Sequence, residues 1–152
     1  MKRHGAGLLV YRKKDGRLQV FLAHPGGPYW AKKDDGVWSI PKGDIDEEEN
    51  AFEAAKREFQ EETSQTAPSG KEIPLGEVRR RDGRLIKAWG VEGDIDVSKV
   101  KSNTVPIEWP PRSGQKIKIP EIDRAEWFDL AAAKHKIHDV QLPLLERLAA
   151  NF

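Results

Sequence analysis

Apolar and polar positions along this chain change period several times, and each change marks an element. Residues 5–11 (GAGLLVY) run apolar behind small residues, the pattern of a buried strand. Residues 18–24 (LQVFLAH) predict a second strand, and Asp15-Gly16 between the two is a strong hairpin turn signal. A loop rich in Gly, Pro and Lys follows (PGGPYWAKKDDG), then a short strand, VWSI, that stops at Pro41. From residue 50 the period lengthens to that of a helix. Phe52, Ala55 and Phe59 form one stripe, Asn50 stands at the N-cap, and Glu53 three residues on is its capping-box partner. A second hairpin is predicted about Asp82-Gly83, joining EVRRR to LIKAWGV. Residues 94–115 carry Pro106, Pro110, Pro111 and Gly114 and read as a long irregular insertion, of a length uncommon unless the segment binds something or is disordered. A strand over residues 125–128 and helical segments over 130–136 and 140–150, the latter with Leu142, Leu145 and Leu148 inward, close the chain. Strands, one central helix, more strands and then helices predict an α+β fold, an α/β/α sandwich, in one domain over residues 1–152.

Charge and composition narrow the function. The formal net charge is +1, so no global field draws in bulk nucleic acid or an anionic membrane. There are no cysteines, which excludes disulfides, thiolate metal sites and Cys nucleophiles, and fits a reducing cytoplasm. The apolar run near the N-terminus ends at Arg12, too short for a signal-peptide core or a bilayer span.

The helix carries the chemistry. Glu58, Glu61 and Glu62 fall at i, i+3 and i+4, so their side chains are neighbours on the flank of the apolar stripe. Like charges at those spacings repel. A hard dication reverses the sign of that interaction, because it takes several oxygen ligands and carboxylates supply them. Elsewhere, Trp38 and Trp127 are expected in the core, and Tyr29, Trp30 and Trp109 in loops where an aromatic ring can stack on a nucleobase. Arg81 beside the second turn is a candidate phosphate contact, His24 is expected as a hydrogen-bonded loop residue, and His135 and His138 as surface residues.

Gly43, Glu49 and the run Arg57-Glu58-Phe59-Gln60-Glu61-Glu62 match the Nudix box, G-x5-E-x7-R-E-U-x-E-E-x-G-U, where U is bulky and apolar. The opening hairpin, the PKG leading into the box, the late EWFDL and the C-terminal helix also resemble a Nudix hydrolase. Two positions depart: Ser64 stands for the glycine and Gln65 for the apolar residue. A left-handed C-cap is typical there, so serine is expected to alter local geometry rather than chemistry.

The resemblance implies a mixed central sheet, one catalytic helix and C-terminal helices. It implies an enzyme that cleaves a nucleoside diphosphate linked to a group X, with Mg²⁺ as cofactor and Mn²⁺ able to substitute. Glu58, Glu61 and Glu62, with a backbone carbonyl of Gly43 or Lys42, are the metal ligands it implies. Arg57 and Glu49 support them, and the general base is Glu58 or a loop carboxylate, Glu121 ahead of Asp123 and Glu108. Lys42, Tyr29, Trp30, Arg81 and Trp109 are the candidate substrate contacts. The layout is similar to the diadenosine tetraphosphate hydrolase branch, with (d)NTP pyrophosphatases the near rival. The partner implied is a small nucleotide, with no membrane or bulk nucleic acid; homodimers occur in the family, and nothing in the sequence specifies an interface. The competing expectation is a non-catalytic nucleotide sensor on the same scaffold.

Overall fold

The computed structural model describes residues 4–152. The first hairpin joins β1 (Gly5–Lys14) to β2 (Arg17–Pro25) through Asp15 and Gly16, both at positive φ as a tight turn of this kind requires. The second joins β4 (Glu72–Arg79) to β5 (Leu85–Glu92). Between them lie β3 (Lys42–Asp44) and helix α1 (Ala51–Thr63). After β5 come β6 (Thr104–Glu108), β7 (Lys116–Pro120), β8 (Ile122–Asp129), α2 (Leu130–Lys136) and α3 (Leu142–Ala149).

The main sheet runs β4-β5-β1-β2-β8, with β3 beside β1. β1 lies parallel to β5, and the other neighbours are antiparallel, so the sheet is mixed as expected. Alternation along β1 feeds two cores. Ala6, Leu8 and Val10 pack with Ala54, Ala55 and Phe59 of α1 on one face. Leu9 and Tyr11 pack with Trp38, Leu144, Leu145 and Leu148 on the other. Helices therefore cover both faces, which is the predicted α/β/α layering.

β1 has two partners along its length. Its second half pairs with β2, from Tyr11 to Lys14. Its first half, Gly5 to Gly7, pairs with β3. β2 meanwhile runs on beside β8. The sheet splays between β1 and β2, and residues 38–44 fill the gap. Gln141, 3 % exposed on the turn before α3, fixes that filling: its Oε1 accepts from Ile40 N at 3.0 Å and its Nε2 donates to Ser39 Oγ at 2.9 Å.

Three expectations need correction. The VWSI strand shrinks to isolated bridges at Trp38 and Ser39, and the regular strand comes later, at Lys42–Asp44. The segment 94–115 is not irregular throughout: it holds a 3-10 turn at Val97–Lys99 and strand β6, which forms a separate two-stranded ribbon with β7. The last helix begins at Leu142, after a 3-10 turn at Asp139–Gln141. Trp38 is buried as expected, whereas Trp127 is half-buried, its edge against Phe21 and its Nε1 donating to Ile95 O at 3.0 Å. No helix among the described residues is long and apolar enough to cross a membrane.

Candidate active site

Asn50 starts α1 where expected: its side chain accepts from the amides of Phe52 (3.0 Å) and Glu53 (3.1 Å). The Glu53 carboxylate turns instead to Lys56, at 2.9 Å. With Phe59 anchored in the core, the last turns of α1 present Glu58 and Glu62 toward β3. Strand alternation divides the work of β3. Gly43 faces α1, and any side chain on it would overlap the Glu58 carboxyl. Lys42 lines a cleft on the other side of β3, with His138, Val140 and Gln141, while its amide donates to Glu62 Oε2 at 3.2 Å. The box glycine is thus a matter of space: helix and strand approach so closely that only hydrogen fits.

Arg57 ties the group together. Its Nε and Nη2 grip both Glu49 oxygens at 2.9 Å, and its Nη1 donates to Glu58 at 2.8 Å and Glu61 at 3.2 Å. Nη2 also donates to the Asp44 carbonyl at 3.0 Å. The bidentate pair holds the Glu49 carboxyl down to about 2, and Glu49 in turn raises the Arg57 pKa.

The inner carboxylates behave oppositely. Burial raises Glu58 above its ordinary range, against the hydrogen bond from Arg57, with Glu61 and Glu121 adding repulsion. Burial pushes Glu62 up to about 8; the charge and amide of Lys42 pull it down, and Glu121 and Glu58 push it further up. Glu121 reaches this group from far along the chain. It stands just before β8, held by Gly26 N to its carbonyl and by its own amide to Asn103 O, both at 3.0 Å. Helix and loop carboxylates are therefore near enough to repel one another. Among the described residues no three acidic or histidine side chains already converge on a single ion position, because Arg57 draws Glu58 and Glu61 to itself. The chemistry of the donors still fits a hard dication: carboxylate oxygens, two of them desolvated and repelling one another, beside the carbonyl-bearing β3 backbone.

On the far side of β3 a cleft of about 450 Å³ opens, lined by Lys42, Arg80 and Arg81, with Trp30, Val37 and Val140 as apolar walls. Trp30 stands edge-on to Tyr29, whose centroid is 4.7 Å away; Lys33 Nζ lies 3.8 Å over the Tyr29 ring. Lys42, Trp30 and Arg81 of the candidate substrate contacts thus meet in one cleft, and Tyr29 buttresses it. Trp109 does not join them: it sits in the turn of the β6–β7 ribbon, its amide bonded to Gln115 O at 2.9 Å. Glu108 is occupied there too, accepting from Arg112 N at 2.8 Å.

Sequence reasoning missed His138 and Gln141. His138 lines the cleft rather than plain surface, and no local signal marks it, since only the fold of α2 against the loops brings it there. His24 is hydrogen-bonded as expected but fully buried in β2: Nδ1 lies 2.8 Å from Asp123 and Nε2 2.6 Å from the Lys33 carbonyl. Asp123 is thereby engaged in fastening the aromatic loop.

A sheet between helices, with glutamates from one helix packed on a glycine strand beside a cationic, aromatic cleft, defines a Nudix-type α/β/α sandwich. The NUDIX domain family matches residues 1–148, and the chain belongs to the Nudix family. The fold is also that of the Ap4A hydrolase of C. elegans in a binary complex, at TM-score 0.66 and 23% identity over 99% of this chain and 97% of that one. The NUDIX domain of Shewanella oneidensis NrtR, complexed with ADP ribose, is similar at TM-score 0.66 and 18% identity, over 99% of this chain and 88% of that one. An RNA pyrophosphohydrolase of Bradyrhizobium sp. (strain ORS 278) is 47% identical over 45 residues. That stretch is 30% of this chain and spans only 27% of the relative's length.

Proposed function

We propose that this protein is a divalent-metal-dependent pyrophosphohydrolase. It cleaves a nucleoside diphosphate linked to a group X, of the dinucleoside polyphosphate or (d)NTP type, by attack of water on phosphorus. One observation carries this reading: Glu58 packs on Gly43 of β3 and Glu62 accepts from the Lys42 amide beside it, with Glu121 near enough to repel both, while Lys42 lines a cationic cleft with an aromatic wall.

In this reading Glu58 and Glu62, with Glu61 and a backbone carbonyl of Gly43 or Lys42, would hold Mg²⁺, or Mn²⁺ in its place. That ion supplies neutralisation of phosphate oxygens and a lowered pKa for water. The chain's own groups do the rest. Arg57 keeps Glu58 at its post against Gly43, with Glu49 fixing the guanidinium from behind. Glu121 takes a proton from the attacking water, and the scissile P–O bond breaks as the phosphate leaves. Lys42 and Arg81 bind the phosphate chain, and Trp30, backed by Tyr29, offers a face to a base.

The test is phosphate release from a nucleotide panel with and without Mg²⁺, run in ¹⁸O-labelled water so that the labelled product identifies the phosphorus attacked. Metal-dependent turnover of at least one member is expected. Glu62→Gln, which keeps the shape and removes the charge, should fold normally and lose most turnover; near-normal rates would refute the site. The sensor alternative has one specific support, the NrtR domain bound to ADP ribose. It predicts tight nucleotide binding with no turnover, and it leaves unexplained why buried carboxylates are held against one another.

A further inference from the structure

The last turn of α2 carries Lys134, His135 and Lys136, a basic end that complements the helix dipole. Lys136 has further work, pairing with Asp34 at 2.6 Å and Asp35 at 3.0 Å. Among the described residues Lys134 and His135 make no ion pair and no side-chain hydrogen bond, yet both line a second cleft, of about 530 Å³. Trp30, Arg81 and His138 belong to both clefts, so the second continues the first past a shared wall. Asp139 is the one carboxylate on its lining, and it is already held by Arg81 at 2.8 Å. An unpartnered lysine, an imidazole free to donate, an aromatic edge and a carboxylate already paired with Arg81 make a place for phosphate oxygens.

We propose that this outer cleft receives the X group when X itself carries phosphates. Lys134 and His135 bind those phosphates, and Arg81 exchanges Asp139 for them. The enzyme then selects phosphate-rich X groups over neutral ones such as a sugar. The proposal rests on the hydrolase reading above and names its substrate class.

The test compares kcat/KM for adenosine tetraphosphate and diadenosine tetraphosphate with that for ADP-ribose, whose X is a sugar. Lys134→Ala should lower the ratio of phosphate-rich to sugar substrate by about tenfold, the scale of one charged hydrogen bond. Asp139→Asn, which frees Arg81, should raise it. Opposite shifts from opposite charge changes are not what general loosening would give, and a ratio unmoved by either variant overturns the proposal. An equal loss on both tetraphosphates assigns the cleft to phosphates alone; a greater loss on the dinucleoside adds its second base. A readout without turnover separates the two readings. Tripolyphosphate titrated into the isotope-labelled wild-type protein should shift the Lys134 side-chain and His135 ring resonances. Shifts without hydrolysis of any nucleotide leave the anion cleft standing and remove the hydrolase; unmoved resonances remove the cleft whatever the turnover.

Discussion

At the residue scale the site depends on one missing side chain. Gly43 leaves the room that the Glu58 carboxyl fills, and its backbone is not at positive φ. Gly43→Ala therefore adds no backbone strain, and the group it displaces is the free end of a flexible side chain. The expected outcome is a melting temperature within a few degrees of wild type and a kcat reduced by about tenfold or more, because small misplacements at a reaction centre cost disproportionately. Parallel thermal melts and steady-state kinetics check both halves. Glu62 gives a second prediction at this scale. Its carboxyl holds a proton up to about 8 in the folded protein and loses it near 4.5 once unfolded. Between those values the folded state binds the extra proton, so metal-free stability is greatest at the acid end of the interval and falls as pH rises through it. Glu49, held down to about 2, is ionised in both states over the same interval and contributes no slope there. Calorimetric melts from pH 5 to 8.5 should show this fall without Mg²⁺. They should also show a Mg²⁺-induced rise in Tm that grows with pH, since the ion competes with that proton.

At the element scale, helix α1 ends on a residue the box pattern does not favour. Ser64 adopts φ +60°, the left-handed cap where the family has glycine, at a cost of about 1–2 kcal/mol for a residue with a Cβ. The structure shows what offsets it. Ser64 Oγ donates to the Lys101 carbonyl, and Gln65 exchanges hydrogen bonds with the Asp96 backbone at 3.0 and 3.3 Å. Both departures thus fasten the helix end to the segment leading into β6. Ser64→Ala keeps the strain and loses the bond, so it should cost about 1 kcal/mol in urea denaturation; Ser64→Gly loses both and should stay within about 0.5 kcal/mol of wild type. The cap position was legible in the sequence, and so were both main hairpins, because Asp-Gly turns between alternating runs are local signals. β3 was not, since Lys42-Gly43-Asp44 has no apolar residue and exists only because β1 offers its first half as a partner. The β6–β7 ribbon was hidden by its prolines. In a free two-stranded ribbon each strand is an edge, so Pro106 can leave its missing N–H toward solvent. Val105 and Ile107 opposite Ile119 and Ile117 were the alternation to find.

At the scale of the whole molecule, the glutamates were legible as a cluster and Glu121 only by its place in the family layout, because long-range packing alone sets which loop faces them. The ribbon that precedes Glu121 looks built to position it, yet the fold divides the two roles. Below the ribbon, Ser102 Oγ accepts from Ile122 N at 2.9 Å and donates to Ile122 O at 3.2 Å, while Asn103 O receives the Glu121 amide. These bonds close the base of the excursion without help from residues 105–119. None of those residues belongs to either core, and a two-stranded ribbon contributes little stability alone. Ile119 reaches inward, its side chain filling the space beside Gly27, next to the loop that carries Tyr29 and Trp30. Replacing residues 105–119 by a short turn should therefore leave a cooperatively folded protein with Glu121 in place. It should raise KM by loosening the aromatic loop while kcat falls no more than about threefold, because the reacting groups stay fixed. Denaturant unfolding and steady-state kinetics on the excised protein decide it. A collapse of kcat at unchanged KM would mean that the ribbon, and not the Ser102–Ile122 closure, holds Glu121, the proposed general base, against the helix.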